Sequence, residues 1–391
     1  MQAEIDRSIA LAQSRPWRIS PWIVICVFAA LMLTPALVML LRAGGAGSNS
    51  ENRVLAPFPT WADLKKVHSL SRKLETYVND HFGLRDQLVR ANSRVRYAAG
   101  LSSNPQQVVI GRDGWLFYAR ERIMEQHVGA DVFAPAELEA WVARMEANRK
   151  WLADRGIPFV IMLAPDKNTI YPELLPQYPK RPGVRTRADQ IAERLKGSAL
   201  TFVDPRAAII AAKAQHPRLY YKGDSHWGHR GAFIAYQMLM VEVARHFPGV
   251  SALALDDFNA SIEPVAVDLV YLLGLHHDIA YTDEVLTRKP PAARQGVEVR
   301  TPVAGAPWGW PISFHRNPNA NAPRAVIFGD SFTDYILGPT FLYETLRDPV
   351  YTHHNVGNFN FSLVTEVKPD IVIAVIAERY LKTIPGPPIG F

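Results

Sequence analysis

Three kinds of hydrophobic patterning follow one another along the chain. From Trp22 to Leu41 the residues are apolar apart from Thr34 and Pro35. That length suits a helix crossing a bilayer core of about 30 Å. Over residues 62–99 apolar positions recur at helical spacing, at Val67, Leu70, Leu74, Tyr77 and Val78, and a second such stretch follows Gly83. GRDGWLFY at 111–118 predicts a tight turn into a short strand. A helix is expected from Pro135 to Gly156, with Leu138, Trp141, Val142, Met145 and Leu152 on one face.

From Ile157 onward short continuous apolar runs alternate with amphipathic ones. Strands are predicted at 157–164, 199–204, 324–328 and 370–377, and helices at 187–196 and 228–247. Strands that are apolar on both faces and separated by helices imply an α/β fold with a mostly parallel sheet covered on both sides. In such sheets reactive groups sit just past the strand C-termini, where Asp166, Ser331 and Glu378 fall. Residues from about 250 to 323 interrupt the rhythm and are rich in proline, at 290, 291, 302, 307, 311, 318 and 323. They read as a loop-rich insertion that either walls a groove or decorates the surface.

The organisation expected is a cytoplasmic tail (1–21), a membrane anchor (22–41), a linker (42–61) and one large domain (62–391). Arg7, Arg15 and Arg18 before the apolar segment favour a cytoplasmic N-terminus, against Arg42 alone after it. The alternative, a cleaved signal peptide, uses the small residues from Ala43 to Gly47. Either way the large domain is exported. Hydrophobic residues at 48% and charged residues at 20% place the chain with globular proteins. The net charge of +6 is spread out, with no basic run to suggest nucleic acid. Cys26 is the one cysteine and lies in the apolar segment, which excludes a disulfide, a cysteine–metal cluster and a cysteine nucleophile from the exported part.

Two short motifs carry chemistry. GDSHW at 223–227 supplies an Asp-x-His pair, and FGDSF at 328–332 places a serine just after a predicted strand. A serine hydroxyl needs a base, histidine serves near neutral pH, and a carboxylate fixes the imidazole tautomer. Asp224 could orient His226 if the segment is extended, since residues i and i+2 then share a side. The Ser331 N–H is a candidate oxyanion donor, and Asn355, Asn358 and Asn360 are candidates for a second. Two other uses of these residues stay open. Asp330 and Ser331 could cap the following helix. Asp224, His226 and His229 could bind a metal with His276 and His277, or with His353 and His354.

The two motifs together resemble the SGNH hydrolase superfamily of esterases and acetyltransferases. The order here, Asp-x-His before the serine, is that of the AlgJ/AlgX-type alginate O-acetyltransferase family. HFGLRDQLV (81–89), GRDGWLFY (111–118), PDKNTIYPELLP (165–176), GDSHWGHRGA (223–232), FGDSF (328–332) and KPDIVIAVIAERYL (368–381) carry the resemblance. It implies an SGNH-like three-layer fold and a catalytic triad of Asp224, His226 and Ser331, with no cofactor and no metal. It also implies a periplasmic enzyme anchored in the inner membrane. Such an enzyme acetylates an exopolysaccharide, alginate or similar, using acetyl groups delivered by a membrane-bound O-acyltransferase. Lys167, Tyr171, Glu378 and Arg379 match family positions without an assigned role, and no C-terminal carbohydrate-binding module is expected. The alternatives are an acetylesterase with the same residues and a non-catalytic subunit of an acetylation complex.

Overall fold

The computed structural model describes residues 20–41, 55–60, 67–180, 183–290, 297–300, 311–353 and 359–382. The basic flanks Arg7, Arg15, Arg18 and Arg42, and also His354, Asn355 and Asn358, lie outside the described residues. The chain divides into two compact units, residues 1–95 and 96–391. In the first, Pro21–Leu41 is one continuous helix, long and apolar enough to cross a membrane. The helices Val67–His81 and Arg85–Ala98 form where periodicity places them, the latter running across the boundary. Leu74 and Val78 stay exposed, so that stripe is not a core face among the described residues.

The second unit is built on a seven-stranded sheet. Its strands, with the two hairpins that flank it, are β1 (Val108–Ile110), β2 (Leu116–Tyr118), β3 (Phe159–Ala164), β4 (Thr201–Val203), β5 (Phe258–Pro264), β6 (Thr282–Arg288), β7 (Val297–Arg300), β8 (Ile312–His315), β9 (Arg324–Gly329), β10 (Arg347–His353) and β11 (Ile371–Ala377). The sheet order is β4-β3-β11-β9-β10-β8-β7. The first five of these are parallel, and β8 and β7 add antiparallel to one edge. β3 and β11 are buried along their whole lengths, which is why both read as unbroken apolar runs.

Alternate residues of each central strand enter different cores. Val160, Met162, Ile327, Ile373 and Val375 pack with Ala232, Tyr236, Leu239 and Val243 of the helix His229–His246. Ile161, Leu163, Val326, Phe328 and Ala374 pack with Trp141, Met145 and Leu152 of the helix Pro135–Ala153. The period-two strand pattern therefore feeds two helical layers, giving the three-layer α/β architecture.

The described residues of the proline-rich insertion form regular elements. β5 and β6 form an antiparallel ribbon, β7 and β8 extend the main sheet, and Asp268–Leu272 is a short helix. β7, β8 and neighbouring residues line a cavity of about 480 Å³ that includes Arg300, Phe314 and Glu366 and none of Asp224, His226 or Ser331.

Candidate active site

The parallel order puts the C-termini of β3, β11 and β9 at one edge, and the chemistry gathers there. Ser331 lies two residues past β9, where the chain turns into a helix. Asp330 fixes this turn. Its Oδ1 accepts the Phe332 N–H at 3.0 Å, and its Oδ2 accepts the Ala377 N–H at the end of β11 at 2.6 Å. An Asx turn is thereby nailed to the neighbouring strand, presenting the serine above the sheet. Gly329 is required because a Cβ there would run into the Thr333 side chain. Thr333–Leu342 then winds as a π-helix, a geometry rare over such a length and common near functional sites.

His226 reaches Ser331 from a separate loop. Its Nε2 lies 2.8 Å from Ser331 Oγ and its Nδ1 lies 2.6 Å from Asp224 Oδ1. All three predicted residues thus come together in hydrogen-bonded sequence. The route to this pairing differs from the extended segment expected. Asp224 Oδ1 also accepts the His226 N–H at 3.0 Å, so the two residues share an Asx turn rather than one face of a strand. The bend suits a loop whose ends meet, at the Tyr220–Trp227 bridge. Gly223 permits it, since a Cβ there would collide with the Tyr281 ring.

The loop is held from beneath by the motifs whose roles the sequence left unassigned. Lys167 is buried and donates to the carbonyls of Leu116 at 2.6 Å, Tyr221 at 2.7 Å and Lys222 at 3.3 Å. Three acceptors match the three protons of an ammonium. Burial pushes its pKa down to about 7, against the upward pull of Asp224 and Asp268. Tyr171 accepts the Leu219 N–H at 2.8 Å and donates to the Pro217 carbonyl at 3.0 Å, bracing the strand of chain that enters the loop. Trp227 donates to the Phe332 carbonyl at 3.1 Å, tying the histidine loop to the serine turn.

Burial alone would raise the Asp224 pKa, but the hydrogen bond and charge of His226 outweigh it. Backbone N–H groups of His226 and Asp268 add to this and hold the carboxyl well below its ordinary range. Asp224 is therefore an anion at any pH near neutral, the state needed to orient an imidazole N–H.

Two neighbours of His226 have no signature in the sequence. Tyr335, one turn past Ser331, stacks on the imidazole with ring centroids 5.0 Å apart and planes 8° apart, and is 48% exposed. Phe332 meets the ring edge-on at 4.9 Å. The second neighbour without a signature, besides Tyr335, is Asp268 from the insertion. Its N–H donates to Asp224 Oδ2 at 2.9 Å, and its carboxylate accepts from the Ser225 N–H at 2.8 Å and Oγ–H at 2.6 Å.

His229 opens its helix, where burial lowers its pKa to about 4, and His276 stacks on Tyr271; among the described residues the group that gathers around His226 is Asp224 and Asp268, without either histidine. Donor atoms of Asp224, His226 and Asp268 do lie within 4.8 Å of one another. Yet the imidazole nitrogen facing both carboxylates shares its proton with Asp224, and the other nitrogen faces Ser331. Those contacts build a hydrogen-bonded chain from Asp224 through His226 to Ser331. Asn360 Oδ1 caps the helix Phe361–Val367, accepting from Leu363 N–H and Ser362 Oγ–H.

Glu378 and Arg379, which the sequence leaves without a role, both turn to Asp166. Arg379 Nε and Nη2 both lie 2.7 Å from Asp166 Oδ1, while Glu378 accepts the Asp166 N–H at 3.0 Å. The Arg379 guanidinium also lies over the Tyr118 and Phe332 rings, at 4.8 and 5.1 Å. Burial and Asp166 push the Glu378 pKa up to about 7.

Residues 108–366, well over half of the chain, match the family described as ALGX, SGNH hydrolase-like domain, acetyltransferase AlgX. The chain belongs to this family. It is 24% identical over 213 residues to the probable alginate O-acetylase AlgJ of Pseudomonas fluorescens, covering 54% of this chain. The chain spans about half the length, 51%, of that relative. Among solved structures, Bacillus cereus PatB1 superposes with a TM-score of 0.52 at 15% identity, over 70% of this chain and 96% of the other. That likeness is one of fold. The O-acetyltransferase domain of Pseudomonas putida AlgJ gives a TM-score of 0.48 at 18% identity, over 72% of this chain and 94% of that one. The SGNH-like fold expected from the sequence is the fold the family assignment and the sheet order describe.

Proposed function

We propose that this protein is an O-acetyltransferase that carries an acetyl group on Ser331 and passes it to hydroxyls of an extracytoplasmic polysaccharide. One observation supports this above others. In a chain of an acetyltransferase family, the Ser331 hydroxyl, both nitrogens of His226 and the Asp224 carboxylate form one continuous hydrogen-bonded line at the end of the sheet.

In the first half-reaction Ser331 Oγ attacks the acetyl carbonyl of the donor while His226 Nε2 takes its proton. The tetrahedral intermediate collapses, the donor's leaving group departs with that proton, and acetyl-Ser331 remains. In the second half a sugar hydroxyl attacks the acetyl carbonyl and gives its proton to His226. Collapse releases the O-acetylated sugar and returns the proton to Ser331. Asp224 holds the imidazole tautomer and stabilises the imidazolium in both halves. The Ser331 N–H is the candidate oxyanion donor.

The relative's name includes alginate, and an acidic exopolysaccharide of that kind is the acceptor we propose. The apolar helix Pro21–Leu41 supports a membrane anchor. We propose that this membrane is the inner one, with the site on its periplasmic side and a membrane-bound O-acyltransferase as donor.

Transfer and hydrolysis are separated by following the acetyl group. The full chain in detergent micelles, given a labelled acetyl ester and an oligomannuronate acceptor, should move label into the oligosaccharide in a Ser331-dependent way. Label found solely as free acetate, at a rate indifferent to acceptor, would make the protein an esterase.

A further inference from the structure

The described residues place a second carboxylate behind His226. Asp268 Oδ2 lies 3.9 Å from His226 Nδ1, on the side of the ring away from Ser331. It is not a stray surface acid. Ser225, the residue between Asp224 and His226, donates to it from both its N–H and its hydroxyl, so the Asp-x-His turn itself grips the carboxylate. The Asp268 N–H in turn grips Asp224 Oδ2. The x of the Asp-x-His motif is thus the tether between the two acids.

Resting on the acetyl-transfer reading above, we infer that Asp268 is a positioning residue, a second anion that holds His226 and offsets the charge it acquires when Ser331 loses its proton. The charge count around the imidazole supports this. Among the described residues, the titratable groups that face it or its partners are Asp224 and Tyr221 on its own loop, Asp268 from the insertion, Lys167 beyond β3 and Tyr335 in the π-helix, while Arg379, which acts on Lys167, is offset by its partner Asp166. The two tyrosines are neutral and Asp224 and Asp268 are anions, and on the acid limb, below its pKa of about 7, Lys167 is an ammonium held by three carbonyls. With neutral imidazole the cluster carries a net negative charge, and with imidazolium it is neutral. Without Asp268 the same step would run from neutral to positive in a largely buried place, which is the costlier direction.

Burial and the Asp224 charge raise the Asp268 pKa, as two acids facing one imidazole require. The side chain keeps 34% exposure, enough to stay hydrated as an anion.

The test is the pH–rate profile of para-nitrophenyl acetate turnover by the full chain in detergent micelles, from about pH 5 to pH 9, across the His titration range. Asp268→Asn keeps the shape and the backbone bond to Asp224 but removes the charge. Its acid limb should move to lower pH by about one unit and its plateau fall about tenfold. Asp268→Glu should restore part of both. Ser225→Ala keeps the charge but frees it, and should shift the limb in the same direction by less. A lowered plateau with the acid limb unmoved in Asp268→Asn would overturn the inference and leave Asp268 a structural brace. If Asp268→Asn does not fold, Ser225→Ala decides alone, a downward shift supporting the inference and an unmoved limb contradicting it. Turnover that survives in Ser331→Ala would instead remove the acetyl-transfer reading.

Discussion

Replacing His226 with alanine should lower turnover of an acetyl ester by roughly four to six orders of magnitude, the cost of removing the base from a unit of this kind. The protein should stay folded, because Trp227 and the Tyr220–Trp227 bridge hold the loop without the imidazole. Asp224→Asn should cost about ten-thousand-fold. The amide cannot accept Nδ1–H and the two backbone N–H groups as the carboxylate does, so the imidazole loses its fixed tautomer. His226→Ala combined with Asp224→Asn should be no slower than His226→Ala alone, since Asp224 is proposed to act through the imidazole. Steady-state rates of the single and double variants check this. Additive losses would show that Asp224 works independently of His226.

Arg379→Met should have the largest effect on stability. Arg379 and Asp166 are both nearly inaccessible, and the guanidinium is the cation that compensates the carboxylate. Removing one partner of such a pair costs about 3–5 kcal/mol, because the remaining charge stays buried. Burial already raises the Asp166 pKa even with Arg379 pulling it down, so the variant should raise it further. A carboxyl whose folded pKa lies above its unfolded value binds its proton more tightly when folded. Its favourable contribution is complete below the unfolded pKa near 4 and is lost as pH rises through the folded one. Arg379→Met should therefore be closest to wild type in acid and fall behind as the pH rises, and adding Asp166→Asn should recover much of the loss. Urea melts at about pH 5 and pH 8 measure this directly. An equal deficit at both would locate the role of Arg379 in its packing over Tyr118 and Phe332 instead.

What the sequence makes legible depends on how each residue's environment is written into its neighbours. β3 and β11 stand out because burial on both faces leaves no room for polar residues. β10, RDPVYTH, does not stand out as a strand because its ends are polar and a proline interrupts it, although four of its residues are buried. β7 and β8 hide among prolines because an edge of a sheet needs only short, one-sided strands. At the site, Ser331, His226 and Asp224 were legible from chemistry and motif order. The Asx turn that joins two of them was not, since Asp-x-His reads equally as strand or bend. Asp268 lies in an insertion without periodic pattern, 42 residues beyond His226, and only the fold brings it behind the imidazole. Likewise nothing in ERYL tells that Arg379 turns to Asp166 rather than to adjacent Glu378.

The central claim is that acetyl groups pass through Ser331. Its most direct test is peptide mass spectrometry of the full chain, quenched in acid during turnover of para-nitrophenyl acetate. One added acetyl group is expected on the peptide that contains Ser331, discharged by an oligosaccharide acceptor and absent from Ser331→Ala. His226→Ala should carry no such adduct within the same time. Turnover with no acetyl on Ser331, or undiminished in Ser331→Ala, would contradict it.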